Sequence, residues 1–535
     1  MSPGSQPAAG PAQGVVDLVA AHGVRPHPLR ALLARLRTDW VRLDELIRDT
    51  ALPRRSVEAL LDALGADLER RGDTVRIRPS ARTAYADLSE PRSMPMADPL
   101  SELVHKHHDL LADMRGRIEG VPVPLAALDH VQATPETVLR RALWMSACYE
   151  LAAAKIVFLG DHDLTSLAVR ALHPDADITV LDVDDRLLGY VDERSGGTIR
   201  VLHTDLRFGL PRAVVEHADL VFSDPPYTQE GMSLFAARAV ECLADRAHGR
   251  VLLAYGYSAL HPTLGAAVQR ELLTQGLVFE AMLPTFHRYF GAQAVGSAAD
   301  LYVCRPAARR SAGKARGGRS TTAIYTHGAQ SVEAAGTTAA LREALIAIAE
   351  PADAPLEGGV RGADWTAPLA GPDPDALAID LAADPGPWLV RVLLARNARR
   401  LALLVPNNHP DLADEQGQRG LRTLLGAKYR LRMLRSTPDN THAVVVAERV
   451  PSDDLDATER AARTLLSKAH GKLANVLGAA MIDRAAHTGA TLTKNEARKR
   501  VAELVARGAI RDYELDLRLI DLPRHRVRAV LDALG

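Results

Sequence analysis

Hydrophobic positions along the chain change their spacing several times, and each change marks a different kind of segment. Between residues 28 and 80, apolar residues recur every three or four positions in three successive runs, and then alternate around Gly72 and Asp73. The first spacing is typical of amphipathic helices, and alternation around a Gly-Asp pair is typical of a β-hairpin. Three helices followed by a hairpin predict a winged-helix domain over residues 28–80, whose third helix would read DNA if DNA were bound.

From 136 to 305 the pattern changes to short apolar runs separated by helical stretches. Alternating strands and helices predict a doubly wound parallel sheet of α/β class. The last two runs form a closing hairpin, which is typical of the methyltransferase-like Rossmann sheet. The predicted strands are KIVFL, DITVLD, TIRVL, ADLVFSD, GRVLLAY, GLVFEAML and ADLYVC.

The remaining segments have weaker patterns. Residues 1–27 predict a disordered N-terminus, residues 81–135 a linker with one helix, and residues 306–320, which are small and basic, a flexible linker. Residues 321–535 contain further strands and helices and predict an additional α/β and helical region. This region is either a degenerate copy of the preceding sheet unit or an unrelated lid or dimerisation domain, and the pattern does not decide between them.

Composition narrows the classes of function. Hydrophobic residues make up 47% of the 535 residues, which is ordinary for a globular protein. The net charge is −1, so the protein has no overall electrostatic field that would favour nucleic acid or an anionic membrane. Three cysteines lie far apart in sequence, which favours a reducing, cytoplasmic setting, and neither they nor the histidines have metal-ligand spacing. No apolar run is long enough to predict a transmembrane helix.

Acidic residues follow the first three strands of the predicted parallel sheet. In such sheets ligands bind at the carboxyl ends of the strands. Asp182 lies 22 residues after Gly160, close to the roughly 20 expected for an acid that binds ribose hydroxyls, and Asp205 is placed to accept from an adenine amino group. The predicted cofactor-binding residues are therefore Gly160, Asp161, Asp182, Asp184 and Asp205.

The fourth strand ends in a motif that suits an amine. Asp224 supplies an acceptor, and Pro225 and Pro226 lack N–H groups, so the carbonyls around them are free to accept. Tyr227 adds an aromatic face for a cation, and Tyr257 after the fifth strand extends the same channel. We predict that these five residues, with Asp163, bind an amine substrate.

Two acids in the first turn, Asp161 and Asp163, favour one kind of donor. S-adenosylmethionine brings a carboxylate to this turn, and like charges at ~4 Å cost about 4 kcal/mol at an effective dielectric of about 20. Decarboxylated S-adenosylmethionine instead ends in a cationic aminopropyl arm, which the acids would attract. One of the two aspartates could instead cap the following helix, but a cap does not account for both.

With these residues in place, the chain resembles the branched-chain polyamine synthase family, the N4-bis(aminopropyl)spermidine synthases. The resemblance implies a winged helix joined to a Rossmann-like catalytic domain over residues 136–305, which transfers aminopropyl groups to a polyamine such as spermidine without a metal. The family's acidic turn is Gly-Asp-Asp-Asp, and His162 replaces the middle acid here, where flanking carboxylates should favour its protonation. The matching stretches are QATPETVLRRA, FLGDHDLTSLA, VLDVDDRLL, SDPPYT and FHRYFGAQAVGSAADLYV.

The predicted catalytic residues are Asp161, Asp163, Asp224 and Tyr227, with an aspartate at the turn accepting the proton of the attacking amine. Two alternatives stay open. One is an amino-group methyltransferase that uses intact S-adenosylmethionine on nucleic acid or a small amine. The other is a winged-helix regulator with a ligand-sensing α/β domain. A homodimer is compatible with the sequence, whereas nucleic-acid and membrane partners are not expected.

Overall fold

The described part of the chain forms three units, each built around its own sheet. The sheets have three, seven and five strands. Residues 1–9 and most of the predicted linker at 306–320 lie outside the described residues. The structure is a computed structural model, and it describes residues 10–94, 96–307, 323–325, 337–350, 356, 359–372 and 374–534.

The first unit combines four helices with a small antiparallel sheet in the order β1-β3-β2. The three helices and the hairpin predicted between 28 and 80 are present. The prediction of disorder over 1–27 is wrong for α1, because Val15 and Val19 lie four positions apart on one helix face and are buried in the core of this unit. Its elements are α1 (Gln13–Ala21), α2 (His27–Thr38), β1 (Val41–Arg42), α3 (Leu43–Thr50), α4 (Arg54–Leu64), β2 (Leu68–Arg71) and β3 (Thr74–Ile77).

The connection that follows is more helical than the single helix predicted for residues 81–135. His107 has φ −104° and ψ 35°, outside the helical region, so the expected helix is divided in two. The next helix, α8, begins at a Thr134 cap whose hydroxyl accepts from the Thr137 N–H at 3.3 Å. The helices are α5 (Ala86–Ser89), α6 (Ser101–Lys106), α7 (His108–Glu119) and α8 (Pro135–Cys148).

The second unit contains the predicted strands and the closing hairpin. The order is β6-β5-β4-β7-β8-β10-β9; the first five are parallel, and β10 is antiparallel to both β8 and β9. The strands β4 and β7 are parallel neighbours, so the residues that follow them lie at the same edge of the sheet. The elements are β4 (Lys155–Leu159), α9 (Thr165–Leu172), β5 (Asp177–Asp182), α10 (Asp185–Arg194), β6 (Arg200–His203), β7 (Leu220–Ser223), α11 (Gln229–Cys242), β8 (Arg250–Tyr255), α12 (Pro262–Thr274), β9 (Leu277–Arg288) and β10 (Ala298–Pro306).

The third unit has a sheet in the order β11-β12-β13-β15-β14, followed by helices. The first three strands are parallel and the last two form an antiparallel hairpin, as in the β4-β7-β8-β10-β9 part of the larger sheet. The elements are α13 (Ala339–Ala349), β11 (Val360–Gly362), β12 (Ala376–Asp380), α14 (Trp388–Ala395), β13 (Arg400–Pro406), α15 (Pro410–Ala413), α16 (Glu415–Leu425), β14 (Tyr429–Leu434), β15 (His442–Arg449), α17 (Ala457–Ser467), α18 (Leu473–His487), α19 (Lys494–Ala506) and α20 (Arg524–Asp532).

A single apolar core joins the second and third units. Leu181 and Leu253 of the larger sheet belong to the same buried cluster as Leu389 of α14 and Leu403 of β13. Burial of this shared surface stabilises both units together, because apolar area contributes about 25 cal/mol for each Å² removed from water. Among the described helices, none combines the length and apolar character needed to cross a bilayer.

Candidate active site

The two aspartates in the turn after β4 make different contacts. Gly160 has φ +74°, a left-handed conformation that favours glycine, and its N–H donates to the Leu181 carbonyl at 2.8 Å. The Asp161 carboxyl accepts from the Ser166 N–H at 3.2 Å and so caps the start of α9. Burial raises the pKa of Asp161 to about 8, so the neutral acid predominates at pH 7. The capping alternative is therefore correct for Asp161.

Asp163 pairs with a buried arginine. Its Oδ1 accepts from the Ala133 N–H and its Oδ2 from Nη1 of Arg141, both at 2.6 Å. Arg141 lies on α8, is 1% exposed, and donates through Nη2 to Asp224 at 2.6 Å. One guanidinium thus links the acid after β4 to the acid after β7. The negative charge of Asp163, which the sequence predicts to attract a cationic donor, is therefore shared with Arg141.

Asp224 is the centre of a network of hydroxyl groups. Tyr227 donates to its Oδ1 at 3.1 Å and Tyr289 donates to its Oδ2 at 2.7 Å, while the two hydroxyl oxygens lie 3.0 Å apart. Burial raises the pKa of Asp224 above its ordinary value, and the charge of Arg141 opposes that shift. A carboxylate whose pKa is raised towards neutrality is suited to accept a proton from an ammonium group.

The acids after β5 differ in their access to a ligand. Asp182 accepts from the N–H groups of Asp184, at 2.8 Å, and Asp161, at 3.2 Å, and burial raises its pKa to about 7. Asp184 caps α10 and pairs with Arg186 at 2.7 Å. Burial raises the pKa of Asp184, but the hydrogen bond and charge of Arg186 outweigh burial and hold it below its ordinary value. The prediction that Asp184 binds the cofactor is therefore wrong, because its carboxylate is already paired with Arg186.

Asp205 after β6 is also paired. Arg207 donates through its backbone N–H and through Nε to Oδ1, both at 3.0 Å, and through Nη2 to Oδ2 at 2.6 Å. The indole N–H of Trp388, from the third unit, donates to Oδ2 at 3.1 Å. An adenine amino group would have to displace one of these donors, because a carboxylate has about four acceptor positions. Asp205 is thus a fixed part of the wall rather than the open adenine acceptor that the sequence predicts.

These residues enclose a cavity of about 560 Å³, within the size range of small-molecule sites. Tyr257 stacks on Tyr255 with ring centroids 5.8 Å apart, and Gly256 between them permits close packing, because a Cβ there would lie 2.9 Å from the Tyr227 ring. Within the described residues no cluster of three or more metal-ligand side chains is found. The predicted residues that line the cavity are Gly160, Asp161, Asp163, Asp182, Asp205, Asp224, Pro225, Pro226, Tyr227 and Tyr257.

Three histidines among the described residues line the same cavity, and two of them, His130 and His162, are in contact. The rings of His130 and His162 pack edge to face with centroids 4.9 Å apart. Burial lowers the pKa of His162, and lowers that of His130 to about 3, so both rings are neutral at pH 7. The expected protonation of His162 is therefore wrong, because desolvation outweighs neighbouring acids that are themselves capping or paired.

Sequence reasoning missed three residues that line the cavity, Arg141, Tyr289 and His130, and it missed Trp388, which holds the lining residue Asp205. Arg141 has the clearest signal, because it falls on the buried face of α8 with Val138 and Ala142, whereas an arginine is expected on the exposed face. Trp388 has no signal of this kind, since it lies 183 residues from Asp205 along the chain.

Comparison with protein families covers the part of the chain that carries this site. Residues 109–310 match the family model described as the branched-chain polyamine synthase A C-terminal domain. The resemblance to branched-chain polyamine synthases is confirmed for this stretch. It contains α8 and all strands from β4 to β10, and therefore every predicted site residue.

Individual relatives agree over a similar region. A protein of Methanocaldococcus jannaschii without an assigned function is 31% identical over 192 residues, 35% of this chain and 48% of the relative. An N(4)-bis(aminopropyl)spermidine synthase of Thermococcus kodakarensis is 29% identical over 199 residues, 36% of this chain and 54% of the relative. The chain thus spans about half the length of these curated relatives.

Among solved structures, a branched-chain polyamine synthase mutein from Thermus thermophilus, in complex with N4-aminopropylspermidine and 5'-methylthioadenosine, is 21% identical. The similarity covers 55% of this chain and 91% of that one, with a TM-score of 0.40.

Proposed function

We propose that this chain is an aminopropyltransferase that moves the aminopropyl group of decarboxylated S-adenosylmethionine onto an amine of a polyamine such as spermidine. The Asp224 network carries the proposal, because it places a carboxylate of raised pKa beside two tyrosines on the wall of the cavity. The network lies within the stretch that matches the branched-chain polyamine synthases, and curated relatives bear the name N(4)-bis(aminopropyl)spermidine synthase.

The reaction needs a neutral amine and a stabilised product charge. Asp224 accepts one proton from the substrate ammonium, and Tyr227 orients the amine. The nitrogen lone pair then forms a bond to the methylene carbon beside the sulfonium, and the carbon–sulfur bond breaks with its electron pair on sulfur. Methylthioadenosine leaves as a neutral thioether, and the positive charge passes to nitrogen, near the acidic wall.

Charge around the reacting centre favours cationic substrates even after the pairing of Asp163. Asp163 and Asp224 share the one guanidinium of Arg141, so the three groups together keep a negative charge. Asp163 acts through Arg141 as a positioning residue, and Asp161 positions the start of α9. Of the four catalytic residues proposed from the sequence, Asp224 and Tyr227 are thus the two that we place against the substrate.

Mass spectrometry of the products tests the proposal. After incubation with decarboxylated S-adenosylmethionine and a panel of polyamines, we expect products heavier by one or two aminopropyl groups, and Asp224→Asn should abolish them while donor binding persists. Calorimetry with decarboxylated and with intact S-adenosylmethionine distinguishes our proposal from the methyltransferase alternative. Tight binding of intact S-adenosylmethionine, together with methylated products, would replace our proposal.

We also propose that the unit from α2 to β3 is a winged helix used for packing rather than for reading DNA. The start of its third helix, α4, faces the second unit, because Arg54 donates to the Gln293 side chain at 2.8 Å. We expect no mobility shift of random DNA at low salt. A shift that weakens as salt rises would support the regulator alternative instead.

A further inference from the structure

One wall of the cavity depends on the C-terminal half of the chain, which the match to residues 109–310 leaves unassigned. Trp388, at the start of α14, donates its indole N–H to Asp205, and the two residues are 5% and 4% exposed. The Trp388 ring also covers the guanidinium of Arg207, which lies 4.8 Å from its centroid. Asp205 therefore cannot turn away from its place without losing bonds to both residues.

A second set of bonds holds α10, which begins directly after the acids of β5. Asp185 Oδ1 accepts from Nη2 of Arg391 at 2.7 Å and from the Arg524 N–H at 2.8 Å. Arg391 is fully buried, and its Nη1 donates to the Leu522 carbonyl at 2.7 Å. Farther along α10, Asp192 accepts from Arg511 at 2.9 Å. The segment that positions Asp182 is thus fixed from the same side as Asp205.

We propose that the C-terminal half of the chain supports one wall of the donor pocket, and that Trp388 is a positioning residue that holds Asp205 in this wall, against which the nucleoside binds. This inference rests on the proposed function for the identity of the nucleoside, the adenosine part of the donor. A wall held by buried hydrogen bonds before the ligand arrives saves the cost of ordering those groups on binding. Loss of one of those bonds should therefore weaken binding of the nucleoside and leave the chemical step unchanged.

Two matched substitutions test the role of Trp388. W388F keeps an aromatic ring and removes only the N–H that Asp205 accepts. W365F makes the same change in the same aromatic cluster, where the Trp365 ring lies 5.9 Å from Trp388 and packs on Phe208 at 4.4 Å. We expect W388F to weaken binding of 5'-methylthioadenosine about 5- to 20-fold in calorimetry, since hydrogen bonds to charged groups are among the stronger ones. W365F should stay within about twofold of the parent, and kcat at saturating donor should change little in either variant.

Equal binding by W388F and the parent chain would overturn the inference. If W388F does not fold, a chain in which Trp40, Trp144 and Trp365 are replaced by phenylalanine leaves Trp388 as the sole indole of the four. Its indole N–H resonance should shift on saturation with 5'-methylthioadenosine, and an unchanged resonance would overturn the inference as well. The two ideas fail in different measurements. If the proposed function is wrong, the parent chain forms no aminopropyl products, but W388F still weakens binding of 5'-methylthioadenosine.

Discussion

Arg140 and Arg141 are adjacent on α8 but have opposite environments. Arg140 is 19% exposed and donates to Asp98, while Arg141 is buried between Asp163 and Asp224 and also donates to the Tyr289 hydroxyl at 3.1 Å. A buried guanidinium is stable only when its donors and its charge are matched, as they are here. Removal of Arg141 would leave two buried carboxylates without their shared counter-ion.

The pair of arginines gives a controlled test. Arg141→Lys keeps the positive charge but cannot bond both carboxylates in the planar geometry of a guanidinium. Loss of a charge-assisted hydrogen bond of about 2–3 kcal/mol corresponds to a fall in kcat/KM of roughly 30- to 150-fold. Arg140→Lys, a change of the same size at the surface, should leave kcat/KM within about twofold. Equal rates in the two variants would contradict the role assigned to Arg141.

Asp161 predicts a dependence of stability on pH. Its pKa is raised by burial from 3.8 to about 8, so between these values the unfolded chain loses a proton that the folded chain keeps. The contribution of Asp161 to stability is therefore greatest at low pH and is lost as pH rises towards 8, with a slope of at most about 1.4 kcal/mol per pH unit.

Asp161→Asn should remove this slope while keeping the helix cap. Urea unfolding between pH 5 and 8 measures the difference in unfolding free energy between parent and variant. We expect the parent to lose stability relative to Asp161→Asn as pH rises. Asp175→Asn, at an exposed position, serves as the control and should follow the parent. A constant difference between parent and Asp161→Asn would show that Asp161 is ionised throughout.

Strand ends alone predict that Gly160, Asp182 and Asp224 meet at one edge of a sheet, and the structure brings them to one cavity. The strand ends do not predict which group pairs with each acid. Asp163 and Asp205 become paired through Arg141 and Trp388, whose directions depend on how a helix and a distant unit pack. The buried position of Arg141 on α8 can be read from the sequence, but the carboxylates that it pairs with cannot, so a count of acids overstates the unpaired charge at the site.

At the scale of elements, the third unit repeats the strand order and directions of part of the second. The segment after β12 reads Asp384-Pro385-Gly386-Pro387-Trp388, at the place where Asp-Pro-Pro-Tyr follows β7. Here the Asp384 carboxylate accepts from the N–H groups of Trp388 and Leu389 at 2.9 and 2.7 Å, and from Nε2 of His409 at 3.0 Å. Of the alternatives left open by the sequence, the strand order supports a degenerate copy, in which this aspartate has a structural role.

Asp384→Ala tests that structural role. It removes the cap of α14 and leaves His409, which is fully buried with Asp384, without its ion-pair partner. We expect unfolding free energy to fall by about 3–5 kcal/mol in urea titrations, because a buried pair is being broken. Asp414→Ala removes only a cap, the bond to the Gly417 N–H at 2.7 Å, and should cost about 1 kcal/mol. Similar losses in the two variants would argue against a buried pair.

At the scale of the whole molecule, the first unit supports a loop of the cavity. Ala292 and Val295 line the cavity, and Gly296 beside them packs against the turn between α3 and α4. A Cβ at Gly296 would lie 2.5 Å from the Ala51 carbonyl oxygen. Arg48 lies over the Phe290 ring at 5.6 Å and adds a contact on the same side.

Two glycines with matching backbones isolate the effect of this contact. Gly296 has φ +83° and Gly276 has φ +84°, but a Cβ at Gly276 would meet nothing within 4 Å. Both alanine variants carry the cost of a left-handed alanine, about 1 kcal/mol, and only Gly296→Ala adds a clash of about 1–3 kcal/mol. We expect Gly296→Ala to lower Tm further and to raise KM for the amine. Identical behaviour of the two variants would show that the first unit does not support the loop.

The parallel part of the larger sheet was predictable because its strands are short apolar runs separated by turns and helices. The third unit was predictable as strands and helices but not as part of the site, since its contacts with α10 and Asp205 join segments about 200 residues apart. Long-range ion pairs of this kind, such as Arg391 with Asp185, arise from packing rather than from local pattern.

The ion pair between Asp185 and Arg391 also has a consequence for biosynthesis. A ribosome makes Asp185 about ten seconds or more before Arg391, at typical rates of 5–20 residues per second. Until then the nascent sheet exposes an apolar face and a lone carboxylate that belong inside the finished protein. We expect newly made chains to associate with chaperones until their second half has emerged, and premature termination between β10 and α14 to yield insoluble fragments.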